Sequence, residues 1–101
     1  MNVTRKNTKS GTVLSLDGEL TIYSVGQAKH ALLNDHENFT SPVALDLHGV
    51  SEIDTAGLQL LLFMHKLLSG LNKNLHVIKS NEQIDDILKK LDVATYFTLG
   101  N

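Results

Sequence analysis

Thr55 and Asp54 are the two side chains whose position most suggests chemistry. A buried strand is predicted to end near Leu47, and Thr55 follows a short loop and opens the most apolar predicted helix. A side-chain oxygen at a helix start meets unpaired backbone N–H groups and the positive end of the helix dipole. A phosphate on the Thr55 hydroxyl would be tolerated there. The spacing therefore indicates a modifiable hydroxyl with an acidic neighbour.

The same residues also fit a purely structural role. Asp54 or Thr55 can act as an N-cap that stabilises the helix by about 1 kcal/mol. Ala56 and Gly57 can be small because the helix packs closely on the sheet. Asp46, near the end of the preceding strand, can simply accept hydrogen bonds from loop N–H groups. The residue types alone leave both interpretations open.

Metal binding and independent catalysis find no support in the spacing of the reactive residue types. No two of the five histidines form the i, i+4 pair of a helical zinc site. They are His30, His36, His48, His65 and His76. The sequence contains no G-x-S-x-G nucleophile motif and no glycine-rich phosphate loop. We therefore expect no metal, no cofactor and no enzymatic activity.

Composition narrows the class of protein further. The chain has 101 residues, a formal net charge of −2 and no cysteine. This length suits one domain, and the charge gives no electrostatic attraction to nucleic acid or anionic lipid. The polar residues 1–10 lack the apolar core of a signal peptide, and the longest apolar run is too short to cross a bilayer. We expect a cytoplasmic protein with its domain over 11–101, after the polar segment 1–10.

Strands and helices that could position Thr55 are predicted on both sides of it. Residues 12–16 and 19–23 suggest a hairpin around Asp17-Gly18, and Ser24 suggests a capping box for a helix that ends near residue 34. The later predicted elements are a buried strand at 43–47, a connector at 48–54, a helix at 55–69 ended by Gly70, a strand at 75–78, a helix that follows a capping box at Ser80 and runs to about Leu91, and a last short segment at 93–99.

This order, ββαβαβα, predicts an α/β fold. A mixed four-stranded β-sheet would begin with an N-terminal antiparallel hairpin, and the helices would pack against it. A helix-containing link makes the third and fourth strands parallel. The chain contains no internal repeat or linker that would divide it.

The helix that begins at Thr55 carries apolar residues on more than one stripe. They are Leu58, Leu60, Leu61, Leu62, Phe63, Met64, Leu67 and Leu68. A helix with one solvent face needs fewer, so we expect part of this surface to be exposed beside Thr55 and open to a protein partner. In the alternative interpretation, residues 93–97 cover it.

Residues 45–62, LDLHGVSEIDTAGLQLLL, resemble the signature of STAS domains, the family of bacterial anti-sigma-factor antagonists. The shared features are an Asp-Leu strand end, a short loop, the run Ile-Asp-hydroxyl-small-Gly-Leu and a leucine-rich helix. The resemblance covers nearly the whole chain, from Gly18-Glu19-Leu20 to the helix that ends near Leu91.

The resemblance implies a non-enzymatic switch that binds an anti-sigma factor with protein kinase activity. Thr55 would be the phosphoacceptor, modified by that kinase from ATP and restored by a cognate phosphatase. Many antagonists carry Asp-Ser-Ser-Gly where this chain has Asp-Thr-Ala-Gly at 54–57. The residues expected to contact the unphosphorylated chain's partner are Asp54, Ala56, Gly57, Leu58, Tyr23 and Ser24.

The Asp-Thr-Ala-Gly-Leu version of the motif is also similar to two other branches of the family. One comprises STAS proteins of chemotaxis or two-component signalling, and the other is the small STAS subunit of a lipid-trafficking ABC transporter. In the transporter, Thr55 would contact the ATPase subunit. None of these interpretations requires nucleic acid binding or direct insertion into a membrane.

Overall fold

A computed structural model describes residues 1–90 and the backbone of residues 98–99. The four main strands form a mixed sheet in chain order, with a two-residue fifth strand beside the fourth. The first pair is antiparallel and the other pairs are parallel, which confirms the predicted α/β class and mixed sheet. The elements are β1 (Asn2–Thr8), β2 (Gly11–Leu20), α1 (Val25–Leu33), a 3₁₀ turn (His36–Asn38), β3 (Val43–Ile53), α2 (Thr55–Gly70), β4 (Leu75–Lys79), α3 (Glu82–Lys90) and β5 (Thr98–Leu99).

The predicted hairpin around Asp17-Gly18 is wrong. Both residues lie inside β2, whose antiparallel partner β1 comes from the polar segment 1–10 that we set apart from the domain. Gly18 has a φ of 115°, and the register with β3 shifts between Gly18 and Glu19. At both register shifts between β2 and β3 the extra residue lies on β3, so Asp17 and Gly18 continue β2 opposite β-bulges in β3. β1 is polar because it is an edge strand with one face toward solvent.

The predicted connector over 48–54 is also wrong, because β3 continues to Ile53. β2 provides the hydrogen-bonding partner for this extension. In the register, Asp17 pairs with Gly49 at its start and Leu20 pairs with Ile53 at its end. β4 ends its pairing with β3 at Asp46. The polar composition of the extension misleads sequence reasoning, since these residues form a strand that is no longer covered on both faces.

One core joins the sheet to all three helices. The buried side chains on the sheet include Leu14, Leu16, Leu45, Leu47 and Val77, and those on α1 and α3 are Ala28, Leu32, Ile84 and Leu88. α2 contributes Leu58, Leu60, Leu61, Met64 and Leu68. Each fully buried large side chain contributes about 1.5–3 kcal/mol of transfer free energy.

The broad apolar surface of α2 is therefore largely used for packing, contrary to the exposed patch that we predicted. Leu62 and Leu67 are half-buried, and only Phe63 is substantially exposed, at 44 %. α1 packs against one side of this helix and strands β3 and β4 against another, which explains why it needs more than one apolar stripe. Residues 93–97, the alternative cover, lie outside the described residues.

Helix ends also differ from the sequence patterns. Ser24 makes no side-chain cap, and the left-handed residue after α2 is Asn72, with a φ of 60°, while Gly70 lies inside the helix. At α3 the capping residue is Asn81, whose Oδ1 accepts a hydrogen bond from Ile84 N–H. The Asn81 amide also donates to the carbonyls of His48 and Val50, so one side chain connects α3 to the exposed edge of β3.

Among the described residues, no helix has the length and apolar character needed to cross a membrane.

Asn81→Asp tests the connection that the Asn81 amide makes between α3 and β3. Aspartate is as good an N-cap as asparagine, but its side chain cannot donate hydrogen bonds to the two carbonyls of β3. We expect the free energy of unfolding to fall by about 1–3 kcal/mol, measured by urea denaturation. Asn74→Asp, on an exposed residue before β4, is the matched control and should change it by less than about 0.5 kcal/mol. Equal effects of the two substitutions would contradict the proposed role of the Asn81 amide.

Candidate functional site

Asp54 lies between the end of β3 and the start of α2 and caps the helix. Its backbone is extended, with φ −115° and ψ −174°, and its Oδ1 accepts a hydrogen bond from Gly57 N–H at 2.9 Å. Its N–H donates to Leu20 O, which holds the helix start against the end of β2. This geometry makes Asp54, and not Thr55, the N-cap, and it confirms that α2 begins at Thr55.

The second carboxylate oxygen of Asp54 binds a different segment of the chain. Oδ2 accepts a hydrogen bond from Ile22 N–H at 2.9 Å, in the loop between β2 and α1. The hydrogen bonds from Gly57 and then Ile22 stabilise the charged form, so they hold the pKa of Asp54 below its ordinary value. Asp54 is therefore ionised at neutral pH, directly beside Thr55.

Ser24 holds the other end of the same loop. Its Oγ accepts a hydrogen bond from Thr21 N–H at 3.0 Å and donates to Glu19 O at 2.7 Å. Because the hydroxyl is used in this way, it does not cap α1. Between these two attachment points, the loop exposes 61 % of Ile22 and 97 % of Tyr23. We call these two residues the Ile22–Tyr23 tip.

The close packing of α2 on β2 explains why glycine stands at position 57. A Cβ at this position would lie 2.1 Å from Leu20 O and 2.9 Å from Leu20 Cγ. No real Cβ tolerates such a contact with backbone, so only glycine lets α2 approach β2 this closely. The structural interpretation of this residue from the sequence is therefore correct.

The structure divides the predicted site residues into exposed and buried groups. Thr55 and Tyr23 are exposed, and Asp54, Ala56 and Ser24 are half-buried. Leu58 is 5 % exposed and packs in the core, and Gly57 is also buried. The inner face of α2 holds Leu58 and Gly57 against the sheet, so these two residues present little surface to a partner.

Ile22 is the residue that sequence reasoning missed. Residues 19–23 look like a β-strand in the sequence, which predicts Ile22 within a hairpin and not in an exposed loop. The available signal was Ser24, whose hydroxyl favours loop hydrogen bonds as readily as a helix cap.

Other groups do not converge on Thr55. Within the described part of the chain, no three histidine, aspartate or glutamate side chains are grouped as metal ligands would be. A cavity of about 550 Å³ lies on the outer side of α1 and the turn after it, and its lining comes from residues 26–37. It contains none of the predicted site residues.

These features define a small α/β domain with an exposed hydroxyl at the start of a helix, at the end of a parallel strand pair. The family model described as "Mlab, STAS domain" matches residues 3–99. The chain belongs to the STAS domain family. The match includes most of β1, which our sequence-based boundary excluded.

Solved structures show the same fold at low sequence identity. The anti-sigma factor antagonist SpoIIAA in its unphosphorylated form is 14 % identical, with a TM-score of 0.78 over 99 % of this chain and 89 % of that one. A candidate anti-sigma factor antagonist from Thermotoga maritima is 17 % identical, with a TM-score of 0.83 over 98 % and 86 %. The phosphorylated form of SpoIIAA, a Bacillus cell fate determinant, gives 14 % and 0.71 over 99 % and 92 %. Among proteins with curated descriptions, none matches this sequence.

Gly57→Ala tests the close approach of α2 to β2. The added methyl group must displace backbone, so we expect the free energy of unfolding to fall by about 1–3 kcal/mol or more. Gly26→Ala is the matched control, because nothing lies within 4 Å of a Cβ there. It should stabilise the helix by about 0.5–1 kcal/mol. Chemical denaturation of both variants measures the difference, and the same sign for both would refute the packing argument.

Asp54→Asn tests the two-sided role of this carboxylate. Asparagine keeps one acceptor oxygen, so it can accept a hydrogen bond from only one of the Gly57 and Ile22 N–H groups. Its NH₂ group faces the other N–H, and that hydrogen bond is lost. We therefore expect the Tm of the variant at pH 7 to be lower than that of the wild type. The pKa of Asp54 is lower in the folded state, so its stabilisation is present above the unfolded pKa of about 3.9 and is lost as pH falls through the folded value. The Tm difference between wild type and variant should therefore shrink below about pH 4. A constant difference from pH 7 to pH 2 would contradict this role.

Proposed function

We propose that this protein is a non-enzymatic binding switch, an anti-sigma-factor antagonist controlled by phosphorylation of Thr55. The observation that carries the proposal is the exposed Thr55 side chain at the first position of α2, where its hydroxyl makes no hydrogen bond to any described residue. A kinase can reach such a hydroxyl without unfolding the helix. The likeness to anti-sigma factor antagonists, one of them solved in both phosphorylation states, supports this assignment.

In this proposal the unmodified surface around Thr55 and Tyr23 binds an anti-sigma factor that is itself a protein kinase. The kinase transfers the γ-phosphoryl group of ATP to Thr55 Oγ1, so an O–P bond forms, the hydroxyl proton is lost and ADP leaves. A phosphatase hydrolyses the ester with water and restores the hydroxyl. This chain supplies only the acceptor, requires no cofactor of its own and would act in the cytoplasm.

Phosphorylation would release the partner through charge. It adds about −1.5 to −2 charge beside the ionised Asp54. An uncompensated charge in an interface costs roughly 2–5 kcal/mol. This cost corresponds to about 30- to 4,000-fold weaker binding, which is enough to separate bound from free states.

A second candidate function is the small STAS subunit of a lipid-trafficking ABC transporter. The description of the matching family model, which names Mlab, favours it. In this alternative the same exposed Thr55 contacts the ATPase subunit permanently, and the chain is a constitutive subunit. The two functions share one surface and differ in whether phosphate is ever added to it.

Incubation with the cognate kinase and Mg-ATP tests the proposed switch by mass spectrometry. We expect one added phosphate on wild type and on Thr55→Ser, and none on Thr55→Ala. Thr4→Ala, on the exposed edge strand, is the control and should be phosphorylated normally. Thr55→Glu should bind the kinase about 30-fold or more weakly.

Three outcomes would contradict the switch: no phosphate on wild type, a phosphate that survives in Thr55→Ala, or full-strength binding of Thr55→Glu. Copurification with an ABC transporter ATPase, unaffected by phosphatase treatment, would instead support the transporter subunit.

A further inference from the structure

An acidic edge borders the Thr55 site, and no lysine or arginine forms an ion pair with it. We define this edge as Asp17 and Glu19 of β2 with Glu52 of β3, all of them exposed. Glu19 and Glu52 are register partners in neighbouring parallel strands, which lie about 4.8 Å apart. Exposed carboxylates at adjacent register positions repel each other.

No ion pair relieves this repulsion within the described residues, where the acidic edge forms no salt bridge. The remaining residues, 91–97 and 100–101, contain neither lysine nor arginine. The chain has nine Lys and Arg residues, yet none of them forms an ion pair with these carboxylates. The amino group of Met1 lies beside Gly18 without forming an ion pair, so Glu19 and Glu52 remain open to a cationic partner.

The Ile22–Tyr23 tip lies beside this edge and exposes two large apolar side chains. Glu19 precedes the tip by three residues, and its carbonyl accepts the Ser24 hydroxyl hydrogen bond. Glu52 precedes Asp54 by two residues, and Asp54 accepts from the Ile22 N–H. The same hydrogen bonds therefore hold the apolar tip close along the chain to two exposed acidic residues. A loop held at both ends loses little conformational entropy on binding.

We propose that this surface recognises a protein that presents lysine or arginine side chains around a small apolar cleft. The cleft accepts the Tyr23 ring, and the cations face Glu19 and Glu52. Tyrosine is enriched among the residues that dominate binding energy, and charge complementarity accelerates association. In this complex the partner's cations pair with Glu19 and Glu52 and none faces Thr55, so a phosphate added there meets the Asp54 carboxylate with no compensating charge. The inference rests on the docking part of the proposed function and specifies the chemistry of the partner.

The proposal is tested by measuring Kd with purified proteins. The two partners to try are the kinase-type anti-sigma factor and the transporter ATPase from the same organism. Tyr23→Ala should weaken the Kd of the binding partner about 30-fold or more. Leu71→Ala is the control, since Leu71 is also an exposed apolar residue but lies at the opposite end of α2. Its Kd should stay within about twofold of wild type. Binding of Tyr23→Ala at wild-type strength would overturn the role of the tip.

A second set of variants tests the role of the Glu19 and Glu52 charges in binding. The double substitution Glu19→Gln/Glu52→Gln should lower the association rate constant about tenfold at low salt and flatten its salt dependence. Glu82→Gln/Asp86→Gln removes two exposed carboxylates from α3 and should leave both unchanged. Identical salt dependence of all three proteins would overturn the cationic partner.

A partner-free measurement keeps the inference separate from the phosphorylation switch. We expect a tetra-arginine peptide to shift the backbone NMR signals of Glu19, Tyr23 and Glu52 in the labelled protein, and the shifts to vanish at about 0.5 M salt. Shifts of equal size at Glu82 and Asp86 would overturn the proposal. If these signals shift as expected while Thr55 accepts no phosphate, the switch fails and the docking surface stands.

Discussion

The Asp54 carboxylate is the group on which the arrangement of the site depends. One of its oxygens caps α2 through Gly57 N–H, and the other accepts from Ile22 N–H. A charged acceptor forms stronger hydrogen bonds than a neutral one, so one side chain joins the end of β3, the start of α2 and the loop after β2. Thr55 and the Ile22–Tyr23 tip therefore keep a fixed relation to each other.

The packing of α2 determines what remains for a partner. Its apolar side chains are mostly in the core, and the missing Cβ of Gly57 allows the helix start to lie against Leu20. The exposed surface near Thr55 is consequently small and mixed, with an apolar tip, a hydroxyl and carboxylates. On a surface of this size, one added phosphate changes a large share of the charge that a partner meets.

Local patterns were sufficient for much of the fold. The α/β class, the parallel β3–β4 pair and the start of α2 at Thr55 all follow from periodicity, composition and the Ile-Asp-Thr-Ala-Gly run. They could be predicted because each depends on residues close together in the sequence. The hairpin around Asp17-Gly18 was wrong because an Asp-Gly pair turns the chain only where no partner strand holds it extended. Here Asp17 pairs with Asn2 of β1 on one side and with Gly49 of β3 on the other.

By itself, the sequence determined the family motif, the order of the elements and the position of the hydroxyl at a helix start. Only the tertiary structure decided that the polar residues 2–8 form a strand, that β3 continues to Ile53, that Leu58 is buried and that Ile22 and Tyr23 are exposed. The physical reason is that these outcomes depend on partners distant in the chain. A strand exists where another backbone satisfies its hydrogen bonds, and a leucine is buried where another element covers it.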